Sequence, residues 1–249
     1  MCLTRSVYYY QPVVKSDETL IHALQQLTAD HPRYGFRKMF FSLRNQGYRW
    51  NHKKVYRVYC TLGLNLKRKA KRRLPCRIKE PLEAPEKANQ VWSIDFMSHS
   101  LYCGRRFRVL NIIDDYNREA LWMEVDTSIG SYAVVEIISL LIREKGKPLQ
   151  IRVDNGPEFI SSTFTHYCNK HNIEIKYTQP GKPTQNAFVE RINGSYRREI
   201  LNAYIFYSLE QVRKITEIWR MGYNTVRPHE SLSNLPPVQY ASKKHPVPE

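Results

Sequence analysis

The sequence predicts a chain in two parts: a small all-α, basic module, then an α/β domain whose mixed sheet is flanked by helices. Three observations carry this. Residues 1–80 hold 18 Lys/Arg against 4 Asp/Glu, whereas residues 81–249 hold 21 against 19. Apolar residues recur at helical spacing as far as Leu62, and from Val91 they gather into short strand-like runs. The later elements read as three strands, then helix, strand, helix, strand and helix, an order that suits a mixed sheet with helices on its faces.

The first module contains three helices. DETLIHALQQLTA (17–29) places Leu20, Ile21, Leu24 and Leu27 at helical intervals, with Ser16 or Asp17 able to cap it. FRKMFFSLRNQ (36–46) puts Phe36, Phe40 and Leu43 on one face, and Gly47 ends it. Asn51 caps HKKVYRVYCTLG, whose stripe is Val55, Val58, Tyr59 and Leu62 and whose Lys53, Lys54 and Arg57 point outward as candidate DNA contacts. Three short helices with a basic third one fit a helix-turn-helix; a solvated face on a small bundle is the alternative. In KRKAKRR (67–73), six of seven residues are basic, and such a run cannot enter a core. Lys67, Arg68, Lys69, Lys71, Arg72 and Arg73 read as an arm for phosphate backbone, in preference to a solubilising linker. The boundaries expected are 1–74 for the module with its arm, 75–90 for a proline-bearing linker, and 91–249 for the α/β domain with a C-terminal helical extension.

In that domain, strands are expected at 91–98, 106–113, 119–125, 149–154 and 172–177. Helices are expected at 130–144, near 160–170 and at 184–204, with TQPGKPTQN as a loop. The net charge of +16 points to a polyanionic partner. Five widely spaced cysteines without a Cys-x-x-Cys pair support neither a zinc ribbon nor a disulfide framework. No run of 18 apolar residues exists, so a cytoplasmic protein with no membrane partner is expected.

Three acids stand out. Asp95 lies among Val91, Ile94 and Phe96, where an acid needs an ion pair or a metal to justify burial. Asp154 sits where a strand ends at an Asn-Gly turn, the usual place for functional residues in open α/β sheets. Glu190 shares a helix face with Asn186, Asn193 and Arg197, opposite the apolar Val189, Ile192, Tyr196 and Ile200. Arg191 and Arg197 are placed to meet phosphate. Three carboxylates without a covalent nucleophile suggest divalent metal, two Mg²⁺ bridged by an aspartate, and hence phosphoryl transfer. Mn²⁺ is expected to substitute. Water as the attacking group gives hydrolysis; a DNA 3′-OH gives strand transfer. Asp114 and Asp115 read as turn or capping residues, Glu158 as a neighbour of Asp154, and His229 as a turn or DNA-contacting residue.

WSIDF, DNGPEF and, 35 residues beyond Asp154, the glutamate of NAFVERINGSYRREI resemble the DDE core of retroviral integrases and insertion-sequence transposases. HPRYGFRKM, GYRWNHKKVYRVYCTLGL and the closing YNTVRPHESLSNLPPVQYA resemble the OrfB-type transposases of insertion-sequence family three. The resemblance covers roughly residues 1–242. It implies an RNase H-like fold, and a catalytic triad and metal-ligand set of Asp95, Asp154 and Glu190. It also implies cleavage at element ends and joining of the 3′-OH to double-stranded DNA, both terminal repeats and target. The family's basic residue seven beyond the glutamate matches Arg197. The resemblance further implies self-association, an OrfA-type partner and a nucleoid-associated life in a bacterium. No heptad run is visible, and MCLTRSVYYY resembles an internal family segment, so an OrfB product alone or a truncated copy is expected. The competing readings are an element fragment that binds DNA or partners without transposing, and a host nuclease of the same fold.

Overall fold

The computed structural model describes residues 4–5, 9, 16–65, 85–178 and 186–244. The basic arm at 67–73 lies outside these residues, as do most of the linker and of the loop before Glu190. Two compact units are present, residues 1–70 and 71–249.

In the first unit, α1 (Glu18–Asp30), α2 (Phe36–Asn45) and α3 (His52–Thr61) enclose one core. α1 contributes Leu20, Leu24 and Leu27, spaced as one helix face; α2 adds Met39, Phe40 and Leu43; α3 adds Val55, Val58 and Tyr59. Gly47, at φ +97°, terminates α2: its N–H donates to Arg44 O, and the Tyr48 N–H donates to Leu43 O. Asn51 Oδ1 accepts from the Lys53 N–H at 2.8 Å, the cap expected of it. Asp17 makes no side-chain cap. Its carboxylate instead reaches α3, pairing with Lys54 at 2.9 Å and with Arg57. The hydrogen bonds from Lys54 and then Arg57 hold it below the usual carboxylate range. Ser16 Oγ accepts from the Glu18 N–H at 3.4 Å.

The second unit is built on a five-stranded sheet, β1 (Val91–Ser100), β2 (Arg106–Asp114), β3 (Ala120–Asp126), β4 (Gln150–Val153) and β5 (Glu174–Tyr177). The spatial order is β3-β2-β1-β4-β5. β1, β2 and β3 form an antiparallel meander, while β4 and β5 run parallel to β1. The parallel strands need crossovers. α4 (Ser131–Lys145) supplies the first; α5 (Pro157–Ile160) and α6 (Ser162–Lys170) supply the second. Beyond β5 come α7 (Ala187–Tyr196), a π-helical turn Arg197–Leu201, α8 (Leu209–Thr225), a 3₁₀ turn Glu230–Leu232 and α9 (Pro237–Lys244).

Strand alternation divides the side chains between two faces. On one face Trp92, Ile94, Leu110, Ile112, Ile151 and Val153 pack with Ile138 and Leu141 of α4 and Phe164 of α6. On the other, Met97, Phe107 and Val109 meet Tyr196, Ile200 and Val212, and Ile113 meets Val189, Ile192 and Tyr223. Asp95 falls between Ile94 and Phe96 on β1, one register step from the first face, so it belongs to the side that α7 covers.

The helix expected near 160–170 is present as α6, which Ser161 caps by accepting from the Phe164 N–H at 3.3 Å; the short α5 precedes it. One expected element differs. The helix expected at 184–204 keeps α-helical geometry only to Tyr196. The wider turn that follows lets the consecutive residues Ile200 and Leu201 both reach the core.

Candidate active site

Asp95 is half-buried in the middle of β1. Its Oδ1 accepts from the Phe96 N–H at 2.8 Å, and its Oδ2 accepts from Asn193 Nδ2 at 2.7 Å. Burial pushes its carboxyl up to about 6, and the negative charges of Asp154 and Glu190 push the same way. Those two acids therefore bear on the Asp95 carboxylate although they lie 59 and 95 residues away in sequence.

Each is placed by a local cause. Asp154 is the first residue past β4, and its Oδ1 accepts from the Gly156 N–H at 2.9 Å, closing the turn that ends the strand. Gly156 must be small: a Cβ there would lie 2.9 Å from Asp154 Oδ1 and 3.3 Å from Glu158 Oε2. Glu190 is exposed in the first turn of α7, which Val189, Ile192 and Tyr196, all fully buried, press onto the sheet. Asn193, one turn later, carries the link to Asp95. Its Oδ1 in turn accepts from Asn111 Nδ2 at 2.6 Å.

The surrounding charges sort clearly. Glu158 pairs with Arg108, whose guanidinium lies 3.8 Å over the Phe96 ring. Burial raises the Glu158 carboxyl, but the Arg108 hydrogen bond, a backbone N–H and the Arg108 charge together outweigh it and leave the group below its ordinary value. Asp114 has the capping role expected of it, accepting from the N–H groups of Asn89 and Tyr116 at 2.8 Å each. Asp115 does not. It is fully buried and pairs with Arg152 at 2.8 Å, and burial lifts it to about 6 against the pull of Ser93, Arg152 and Arg118. Arg152 is the residue that sequence reasoning missed; a cation between Ile151 and Val153 in a buried strand was the signal that an acid must face it. His229 takes the turn role, its N–H donating to Leu235 O at 3.2 Å and its ring edge-on to Tyr223. Of the expected phosphate contacts, Lys53, Arg191 and Arg197 are exposed, whereas Lys54 and Arg57 are engaged with Asp17. Lys67, Arg68, Lys69, Lys71, Arg72 and Arg73 lie outside the described residues.

The donor set suits a hard divalent cation. It consists of oxygens alone, and Asp95 uses one acceptor site on each oxygen, leaving one on each. Among the described residues, no group of three or more His, Cys, Asp or Glu lies close enough together to hold a single ion.

A five-stranded mixed sheet of order β3-β2-β1-β4-β5 with helices on both faces is the RNase H-like integrase-core fold. Family models agree: an integrase core domain matches residues 85–183, a second integrase core model residues 171–237, and an HTH-like domain residues 15–72. The chain belongs to the insertion-sequence transposases of the family-three OrfB type. It is 36% identical over 242 residues to the insertion element IS407 uncharacterized 31.7 kDa protein of Burkholderia multivorans, covering 97% of this chain and 87% of that one. It is 23% identical over 228 residues to the putative transposase InsK for insertion sequence element IS150 of Escherichia coli, covering 86% and 79%. The fold is shared with a chain of the simian T-cell lymphotropic virus intasome, with a TM-score of 0.54, 16% identity and coverage of 91% and 77%. The chain is thus an insertion-sequence transposase, an enzyme of the polynucleotidyl transferase class. Its HTH-like and integrase-core domains imply DNA binding, and its family is metal-dependent. No helix among the described residues is long and apolar enough to cross a membrane.

Proposed function

We propose that the chain cleaves the ends of an insertion sequence and joins the freed 3′-OH to target DNA by a DDE mechanism, with Asp95, Asp154 and Glu190 as the triad. The observation that supports this is that Asp95, raised chiefly by burial, is pushed further up by the charges of both Asp154 and Glu190. Divalent cations, Mg²⁺ or Mn²⁺ and two per site, would neutralise this repulsion, favour loss of the proton from the attacking hydroxyl and stabilise the leaving oxygen. Asp95, Asp154 and Glu190 would hold these ions between them. The chain's own part is positioning. The Phe96 N–H and Asn193 fix the Asp95 carboxylate, Gly156 fixes Asp154, and the buried face of α7 presents Glu190. Arg191 on the same helix and Arg197 at the start of the π-helical turn that follows would hold the phosphates beside it, and Lys53 and the 67–73 arm would hold flanking duplex. The division into 1–74, 75–90 and 91–249 assigns DNA binding to the first part and chemistry to the last. Action as a multimer on paired ends, with an OrfA-type subunit, in the bacterial cytoplasm, completes the reading. The test is to supply a labelled, pre-cleaved element end with target DNA and Mg²⁺ or Mn²⁺. Joined product supports the reading; nicked DNA without joining would identify a hydrolase instead.

A further inference from the structure

Asn111 is a polar residue where none is expected. It lies in the middle of β2 between Leu110 and Ile112, and all three are fully buried. Burying an amide costs stability unless its polar atoms are used, and Asn111 Oδ1 has no hydrogen-bond partner. A leucine would fill the site more cheaply, so the remaining atom, Nδ2, has to justify the residue. That atom donates to Asn193 Oδ1 at 2.6 Å, Asn193 Nδ2 donates to Asp95 Oδ2 at 2.7 Å, and Asn111 is the register partner of Asp95 across the β1–β2 pair.

We infer that Asn111 is a positioning residue for Asp95, acting through Asn193. An asparagine amide beside a carboxylate has two orientations. With its nitrogen towards Asp95 it donates; with its oxygen there it repels. By donating to Asn193 Oδ1, Asn111 selects the first orientation. The result is an Asp95 carboxylate pinned on both oxygens, with its outer lone pairs free. The same link ties β2 to α7 three residues after Glu190, and so fixes the spacing between two members of the triad. The inference rests on the metal-binding reading of that triad.

The test is a double-mutant cycle on the full chain, with Mn²⁺ binding measured by calorimetry and melting temperature followed separately. Asn111→Leu is expected to weaken Mn²⁺ binding about tenfold, with little change in melting temperature and none in metal-free DNA affinity. In an Asn193→Leu background, Asn111→Leu is expected to add nothing further. Independent, additive losses overturn the relay, as does wild-type Mn²⁺ affinity in folded Asn111→Leu. If Asn111→Leu does not fold, Asn111→Ser, which keeps a donor with a shorter reach, takes its place with the same two outcomes. Asp95→Asn separates the two claims. If it leaves Mn²⁺ binding intact, the triad reading and the relay both fall. If it abolishes binding while folded Asn111→Leu binds Mn²⁺ with wild-type affinity, only the relay falls.

Discussion

At the residue scale, Asp95 is tuned by opposing forces. Burial and two neighbouring acids raise its carboxyl to about 6 from an ordinary 3.8, while the Phe96 N–H and Asn193 favour the ionised form. A carboxyl raised on folding stabilises the protein fully below the ordinary value, and that contribution is lost as pH rises through about 6. A divalent cation requires the ionised form, so proton and metal compete in the same window. Mn²⁺ affinity is expected to fall as pH drops through about 6, with proton release on binding; a flat profile across that range contradicts it. Gly156→Ala tests the placement of Asp154. A Cβ 2.9 Å from its Oδ1 forces a shift, and a displacement of this kind costs on the order of 10²-fold in rate. Strand transfer by a folded Gly156→Ala protein at the wild-type rate contradicts that. The local settings of the three acids were legible in the sequence because each is a local pattern: a strand, a turn and a helix face. Asn111, Arg152 and the Asp17 pairs were not, because their partners lie 82, 37 and 37 to 40 residues away.

At the element scale, periodicity located all five strands and the buried stripe of α7. It overran at 184–204 because the π-helical turn keeps apolar residues facing the core while changing geometry, which an apolar pattern cannot reveal. The closing extension was legible only as helical, its individual helices α8 and α9 unplaced, because the sheet surface that covers α8 is assembled from distant segments and α9 packs against α8. The sheet changes from antiparallel to parallel at β4, beside a buried ion pair. β4 runs between β1 and β5 with Arg152 buried against Asp115 at the end of β2. The two side chains are 8% and 0% exposed, so removing one partner leaves a charge stranded. Asp115→Ala is expected to cost about 3–5 kcal/mol in chemical denaturation. A loss below about 1 kcal/mol, the range of a surface pair, contradicts this.

At the scale of the whole molecule, charge is unevenly divided. Residues 1–80 carry 18 Lys/Arg against 4 Asp/Glu, and the remainder is close to balanced. Counterion release makes affinity for DNA depend on how many phosphates are neutralised, so removal of residues 1–80 is expected to weaken DNA binding and flatten its salt dependence. Equal salt slopes for the full chain and for residues 81–249 contradict that division. The two-part plan was readable from the charge split and the change of period near Val91.

The central claim is that Asp95, Asp154 and Glu190 together perform strand transfer. The most direct measurement is joined product from a pre-cleaved element end with Mg²⁺, for wild type beside Asp95→Asn, Asp154→Asn and Glu190→Gln. Each substitution is expected to lower the rate by on the order of 10³-fold or more while DNA binding persists. Joining by any of the three at the wild-type rate contradicts the claim.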